Sequence, residues 1–142
     1  MFAKQLTVFI ENRTGRLSEV LGVLKESNVN ILSLSLADTT EFGLLRLIVD
    51  NAQRGKEKLT EKGFSSLLSD VSIISIPHKV GYLQSLLKII DDEGINIEYM
   101  YGLSVQSEEA HIVLKASDTQ KVDQLLAKNG IKTVSCEDLA KM

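Results

Sequence analysis

Apolar residues recur along the first half of the chain at two different spacings. Over Gln5–Ile10 they alternate with other residues, which is the period of a half-buried strand. Over Arg16–Ser27 they follow a spacing of i, i+3, i+4 and i+7, which predicts a helix with one apolar stripe. The stripe consists of Leu17, Val20, Leu21 and Leu24. Alternation returns over Ile31–Ala37, so the pattern predicts a strand, a helix and a second strand.

The second predicted strand separates leucines from serines. One face carries Leu32, Leu34 and Leu36, and the opposite face carries Ser33 and Ser35. The segment DTTEFG, residues 38–43, predicts a turn because it combines polar residues with glycine. Three further elements complete this half: a strand over Leu44–Val49, a short polar helix over Arg54–Lys62 closed by Gly63, and a strand within Ser65–Ser69 that continues past Asp70.

The second half of the chain repeats this pattern at an offset of 66 residues when Gly81 is aligned with Gly15. The stretch NVNI, which begins at Asn28, then meets GINI, which begins at Gly94. Asparagine and glycine both tolerate the left-handed backbone conformation, so Asn28 and Gly94 are predicted to end their helices in the same way. The repeated elements are predicted at Val71–Ile76, Tyr82–Glu93, Ile97–Leu103, His111–Lys115, Thr119–Asn129 and Thr133–Cys136.

Each half therefore has the element order β-α-β-β-α-β. A split β-α-β unit of this kind forms a four-stranded antiparallel sheet with two helices on one face. The predicted fold class is α+β, with two ferredoxin-like domains at residues 1–70 and 71–142. Because domains of ~70 residues are marginally stable alone, the two are expected to pack together.

Composition and charge narrow the classes of function. A formal net charge of −3 argues against broad attraction to nucleic acid or anionic membranes. No apolar run approaches the ~20 residues that a membrane-spanning helix requires. The single cysteine, Cys136, leaves no internal disulfide and no cysteine-rich metal site, so a cytoplasmic protein is expected. All four arginines lie in the first half, so a guanidinium that binds an anion must lie there too.

Two segments of the first half resemble the ACT domain, a small ligand-binding regulatory module. They are IENRTG, which ends the first strand, and NVNI, which opens the second. The loop is similar to that of the serine-binding ACT domain of phosphoglycerate dehydrogenase, and Asn12 and Asn30 match its ligand-binding asparagines. An apolar side chain stands at its histidine position, and Thr14 replaces its proline. The resemblance covers both halves and implies a tandem ACT protein, regulatory (allosteric) and without an attached catalytic domain.

The second copy departs further from that loop. His78 stands in place of the first asparagine and Val80 in place of the proline, whereas Asn96 is retained. The sequence therefore leaves open whether one or both loops form working sites.

The glycine loop suits a zwitterionic amino acid, which needs donors for its carboxylate and acceptors for its ammonium. The N-terminus of the following helix supplies donors, and asparagine supplies both kinds of group. Arg13 or Arg16 adds a charge-assisted hydrogen bond to the carboxylate. Asn12 and Asn30 are expected to face a common pocket.

The predicted ligand-binding residues are Asn12, Arg13, Thr14, Gly15, Arg16, Asn30, Ile31, His78, Lys79, Val80, Gly81, Asn96 and Ile97. Catalytic residues, metal ligands and cofactors are not predicted. The expected partners are an amino acid or similar small metabolite, a second copy of the chain in an edge-to-edge homodimer, and a partner enzyme regulated in trans. Nucleic acid and membranes are not expected partners.

Other interpretations are weighed against this one. A polar, glycine-containing turn is typical of any strand-to-helix connection, so the loop alone is also consistent with a simple turn. The main alternative function is a ligand-free assembly or scaffold protein that binds a partner enzyme. An enzyme of the acylphosphatase kind is disfavoured because no general acid or base is evident beside Arg13. An RNA-binding sheet is disfavoured because only Phe9 is suitably placed for stacking on the first copy's opening strand.

The remaining residues with distinctive chemistry favour structural roles. His78 and His111 lack the spacing of a metal site. Cys136 is predicted to be partly buried in a strand. Tyr99 and Tyr101 share one strand face and are predicted to form a packing or interface pair.

Overall fold

The computed structural model of the chain describes residues 2–38, 41–103 and 108–141. Lys4–Ser69 form a first unit, and the chain from Asp70 onward forms a second unit together with the residues before Lys4. Within the described residues, no helix combines the length and apolar character needed to cross a membrane.

Both units have the predicted β-α-β-β-α-β order, which confirms the α+β, ferredoxin-like fold class. One strand, β4, ends the first unit and begins the second without a break, as the sequence predicts. The elements are β1 (Ala3–Glu11), α1 (Arg16–Glu26), β2 (Ile31–Asp38), β3 (Phe42–Val49), α2 (Ala52–Glu61), β4 (Ser65–Ile76), α3 (Tyr82–Asp92), β5 (Ile97–Leu103), β6 (Ala110–Ala116), α4 (Thr119–Lys128), β7 (Lys132–Thr133) and α5 (Cys136–Ala140).

The first unit has the strand order β2-β3-β1-β4. Both β1 and β2 are antiparallel to β3, so they run parallel to each other and their C-terminal ends lie at the same end of the sheet. Apolar side chains of β1 and β3 pack against α1 and α2. Fully buried members of this core are Leu6, Val8, Val20, Leu24, Leu45, Leu47, Val49 and Leu59.

The second unit repeats this arrangement with β4, β6 and β5 in that order and β7 paired with the other side of β4. Its core includes Ile74, Leu86, Ile90, Leu114, Val122 and Leu126. The rings of Tyr99 and Tyr101 on β5 are stacked, with centroids 6.5 Å apart and an interplanar angle of 15°. The predicted packing pair is therefore confirmed.

The edge strand β2 exposes its leucines rather than its serines. Leu34 and Leu36 lie opposite Leu47 and Leu45 of β3, on the helix side of the sheet. The β3 leucines are 0% exposed, whereas Leu34 is 48% and Leu36 is 52% exposed. The helices thus cover the inner strands and leave the edge open. The alternation is as predicted, but at this edge it does not mark a buried face.

The two helices that follow the glycine loops end as predicted. Asn28, just after α1, has a φ of 58°, and Gly94, just after α3, has a φ of 71°. Asn28 N donates to the carbonyl oxygen of Lys25 at 3.1 Å, and Gly94 N donates to that of Asp91 at 2.9 Å. The same left-handed helix end therefore occurs in both units.

The predicted last strand, Thr133–Cys136, is wrong in its second half. Strand β7 ends at Thr133, a last main-chain bond joins Val134 N to the carbonyl oxygen of Ile73 at 2.9 Å, and Cys136 begins the short helix α5. Ser135 Oγ accepts a hydrogen bond from Asp138 N at 3.0 Å, and Ser135 N donates to Asp138 Oδ2 at 3.3 Å. This reciprocal capping box starts a helix where apolar alternation predicts a strand. Cys136 is half-buried in a helix, not in a strand.

The turn predicted at DTTEFG cannot be followed through its centre, because residues 39 and 40 lie outside the described residues. On either side, β2 ends at Asp38 and β3 begins at Phe42, with Asp38 opposite Gly43.

Candidate functional site

The two glycine loops share one backbone conformation. Gly15 has a φ of 89° and Gly81 a φ of 80°, and each immediately precedes a helix, α1 and α3 respectively. The backbone of a residue with a Cβ adopts this left-handed conformation only at a cost in free energy, so glycine is favoured at both places. No side chain caps the N-terminus of α1 or α3. The other three helices are capped by Asn51, Asp118 and Ser135.

The hydrogen bonds that shape the two loops also match. Arg13 N donates to the carbonyl oxygen of Glu11 at 2.8 Å in the first loop. Lys79 N donates to the carbonyl oxygen of Pro77 at 2.9 Å in the second. Both bonds use main-chain atoms, so the loop keeps its path although its side chains differ. The internal repeat therefore extends to the detailed geometry of the loop.

The first loop borders a cavity of about 110 Å³. It lies at the end of the sheet where β1 and β2 both terminate, beside the N-terminus of α1. Its lining consists of Ile10, Glu11, Asn12, Arg13, Leu17, Leu36, Asp38 and Gly43. We call it the first-loop cavity. Because β1 and β2 are parallel, the topology itself brings Asn12 close to Asp38.

The polar groups of the first-loop cavity carry both signs of charge. Arg13 Nε forms an ion pair with Glu11 Oε2 at 3.1 Å, and these side chains are 62% and 58% exposed. An ion pair this exposed contributes only ~0–1 kcal/mol, so a ligand can displace it at little cost. Among the described residues, the Asp38 carboxylate makes no side-chain hydrogen bond or ion pair. Asn12 adds an amide that can donate or accept.

Arg16, although predicted as a ligand-binding residue, is not among the residues that line this cavity. Its guanidinium lies over the ring of Phe64, 4.6 Å from the centroid, and its Nη1 pairs with Glu19 at 2.7 Å. Cation–π stacking and a short ion pair hold this side chain between Glu19 of α1 and Phe64, which lies between α2 and β4. Thr14 is exposed and also lies outside the lining.

The structure does not bring Asn12 and Asn30 together within one chain. Asn30 and Ile31 line a different depression, of about 340 Å³, with Leu21, Lys25, Asn28 and Val29. Asn30 precedes β2, whereas the first-loop cavity lies at the other end of that strand. The 8 residues of β2 place its two ends roughly 23 Å apart. Two hydrogen bonds to Asp50 hold the backbone of Asn30: its N donates to Asp50 Oδ1 at 2.9 Å, and its carbonyl oxygen accepts from Asp50 N at 3.1 Å.

The predicted residues of the second loop are all exposed. His78, Lys79, Val80 and Gly81 lie at the surface, and Val80 is 108% exposed. The depressions described for the second unit run along α4 and are not lined by these residues. Asn96 N donates to Ser117 Oγ at 3.2 Å and precedes Ile97, the first residue of β5, so its place matches that of Asn30.

Six lining residues were not predicted as ligand contacts from the sequence: Ile10, Glu11, Leu17, Leu36, Asp38 and Gly43. Leu36 and Asp38 come from the end of β2, and Gly43 from the start of β3. The signal that could have found the residues of β2 and β3 is the strand order of a split β-α-β unit, because its parallel β1 and β2 end at the same end of the sheet, with β3 between them. The spacing of residues along the sequence does not indicate that these residues lie beside the loop.

The described residues contain no group of three histidine, cysteine or acidic side chains arranged to hold a metal ion. His78 is exposed in the second loop, and His111 is 3% exposed on β6.

The fold and the loops define a class: a pair of β-α-β-β-α-β units, each with a glycine loop between its first strand and first helix. The chain belongs to the ACT domain pair family, whose model matches residues 1–142. The search of curated proteins finds no match.

Solved structures agree with this assignment. Protein BT0572 from Bacteroides thetaiotaomicron is 35% identical, with a TM-score of 0.92, over 100% of this chain and 98% of that one. The regulatory subunit of aspartate kinase from Thermus thermophilus, in a ligand-free form, has a TM-score of 0.59 at 16% identity, over 88% of this chain and 90% of that one. At that identity the second likeness concerns the fold alone.

Proposed function

We propose that this chain is a non-catalytic regulatory module that binds an amino acid in the first-loop cavity and acts in trans on a partner enzyme. The observation that carries the proposal is the meeting of Arg13, Asn12 and Asp38 beside an uncapped helix N-terminus. The single cysteine favours a reducing compartment, so the proposal includes a cytoplasmic location.

The chemistry of the cavity fits a zwitterion. The ligand carboxylate would accept hydrogen bonds from Arg13 and from the leading N–H groups of α1, whose dipole favours negative charge. The ligand ammonium would donate to Asp38 and to the Asn12 carbonyl oxygen. Asp38 is therefore assigned to the ammonium and Arg13 to the carboxylate.

We propose that Asn30 contacts the ligand in the cavity of a second copy of the chain rather than in the cavity of its own chain. Strand β2 is an edge strand whose exposed leucines, Leu34 and Leu36, favour pairing with another chain. Antiparallel pairing of two β2 strands about a two-fold axis places the start of one against the end of the other. Asn30 of a second copy would then lie beside the first-loop cavity. We therefore propose a homodimer with two equivalent sites.

Thermal melting against each of the twenty amino acids tests the proposal. A ligand at 100 times its Kd adds about 2.7 kcal/mol to folding stability, which at this chain length raises Tm by about 5–10 °C. Arg13→Ala should abolish the shift. Lys79→Ala is the matched control, since Lys79 makes the same main-chain bond in the second loop, and it should keep the shift.

A shift that is reduced but not lost in each variant would assign a working site to each loop. No shift with any amino acid would favour the second candidate function, a scaffold protein without a ligand. The observation that favours the scaffold is Val80, a fully exposed apolar side chain at the tip of the second loop. A pull-down with wild-type protein and Val80→Asp would then identify a partner that depends on this side chain.

A further inference from the structure

We propose that the first-loop cavity selects amino acids with a short, branched aliphatic side chain, the class of valine. This inference rests on the proposed function, because it names the ligand class of the same site. The observation behind it is that part of the cavity lining is apolar, whereas the proposed contacts to the ligand ammonium and carboxylate use only the charged and amide groups.

Three apolar side chains from three different elements form that apolar part. Ile10 of β1 is 4% exposed and gives a rigid floor, because its strand lies inside the sheet. Leu17 of α1 is half-buried. Leu36 of β2 is 52% exposed, so its surface is still available to a ligand. An aliphatic group placed between them removes apolar surface of both partners from water, which is favourable in proportion to the area buried.

The positions of the polar residues argue against a polar ligand side chain. Glu11, Asn12 and Arg13 follow one another along the chain, and Asp38 lies at the end of β2 on the far side of β3; all four are exposed and form the rim that holds the zwitterion. Among the described residues, the side chains that line the cavity toward Ile10, Leu17 and Leu36 offer no donor or acceptor. A hydroxyl or charged group directed there would lose its water without gaining a partner.

The size of the cavity favours a small side chain. About 110 Å³ is well below the ~300–1,000 Å³ of sites that bind drug-sized ligands. This volume favours an aliphatic side chain of three or four carbons over an aromatic ring. Removal of a methylene from a ligand in an apolar pocket costs ~10–200-fold in discrimination, so alanine should bind more weakly than valine.

The comparison of L-valine with L-threonine by isothermal titration of the full-length protein tests the inference directly. The two have the same shape and differ by a hydroxyl in place of a methyl group. An apolar pocket distinguishes such a pair by ~100-fold at most, and we expect valine to bind about 10–100-fold more tightly. Phenylalanine and lysine should bind more weakly than valine.

Leu36→Ser should reduce the preference for valine over threonine to within about threefold. Leu34→Ser is the matched control, because Leu34 lies on the same face of β2 and is 48% exposed but does not line the cavity. It should leave the preference unchanged. Both positions are half exposed, so both variants should fold, and any effect of the strand edge on dimerisation is common to the two.

The outcomes separate this inference from the proposed function. Binding of threonine or another polar amino acid as tight as that of valine would overturn the inference and leave the amino-acid site standing. An unchanged preference in Leu36→Ser would overturn it as well. Absence of binding by every amino acid would overturn both.

Discussion

Arg54 Nε donates a hydrogen bond of 2.7 Å to the carbonyl oxygen of Ser27, the residue that ends α1. The contact joins the start of α2 to the negative end of the α1 dipole, where a cation is favourable. The second unit repeats it in weaker form, since Lys121 Nζ donates to the carbonyl oxygen of Glu93 at 3.4 Å.

We expect Arg54→Ala to lower the free energy of unfolding by about 1–2 kcal/mol, because a charge-assisted hydrogen bond to a carbonyl oxygen is lost. Lys121→Ala should cost less than about 0.5 kcal/mol, since its bond is long and exposed. Urea denaturation of the two variants measures the difference. Equal losses would show that the shorter distance in the first unit brings no extra stability.

Gly15→Ala and Gly22→Ala should change stability in opposite directions. At Gly15 the φ of 89° strains any residue with a Cβ, although no atom lies within 4 Å of where that Cβ would stand. The expected loss is about 1–2 kcal/mol. Gly22 lies inside α1 and has the same open space, so alanine there should gain about 0.5–1 kcal/mol through helix propensity. Thermal unfolding measures the sign of the stability change in each variant. A loss of stability in Gly22→Ala would contradict the expected gain from helix propensity.

Leu34→Lys should weaken the proposed homodimer more than tenfold, because it places two charges near the axis that relates the β2 strands. Glu98→Lys is the control, since Glu98 is exposed and lies on the edge strand β5 of the second unit. Sedimentation equilibrium measures both dissociation constants. A wild-type chain that is monomeric at micromolar concentration would contradict the proposed pairing.

The capping box of α5 should be sensitive to acid. The hydrogen bond from the Ser135 backbone N–H, and then that with the Ser135 side chain, lower the pKa of Asp138 below its ordinary value of 3.8. A lowered pKa means that the carboxylate stabilises α5 above pH ~3.8 and that this contribution is lost as the pH falls further. The protection factor of the Leu139 amide, which is the exchange rate of an unfolded chain at the same pH divided by the rate measured for this amide, should therefore fall on acidification. Asp138→Asn should remove most of this pH dependence, whereas Glu137→Gln, which leaves the capping bonds in place, should keep it.

Local patterns in the sequence predicted much of this fold. The apolar stripe of α1, the alternation of β1 and the left-handed ends at Asn28 and Gly94 each depend on residues close together along the chain, which is why they could be recognised. The end of the chain was misjudged because the Ser135–Asp138 capping box outweighs a short apolar alternation. The repeat made the β-α-β-β-α-β element order recognisable as well.

The candidate site was predicted less completely, for a physical reason. Its loop lies within one continuous segment, but Leu36 and Asp38 reach it through the pairing of β2 with β3, and that register is a property of the folded sheet. The exposure of Leu36 likewise depends on how far the helices extend over the sheet edge. Neither quantity is encoded by residues that are neighbours in sequence.

The matching main-chain bonds of the two glycine loops have a consequence for how the chain can evolve. Since main-chain atoms and one glycine set the path of each loop, most substitutions at its remaining positions leave that path intact. After an internal duplication, one loop can therefore keep its chemistry while the other drifts. The second loop differs from the first in this way at His78, Lys79 and Val80. Because its path tolerates such substitutions, it is a suitable place to graft a new recognition sequence.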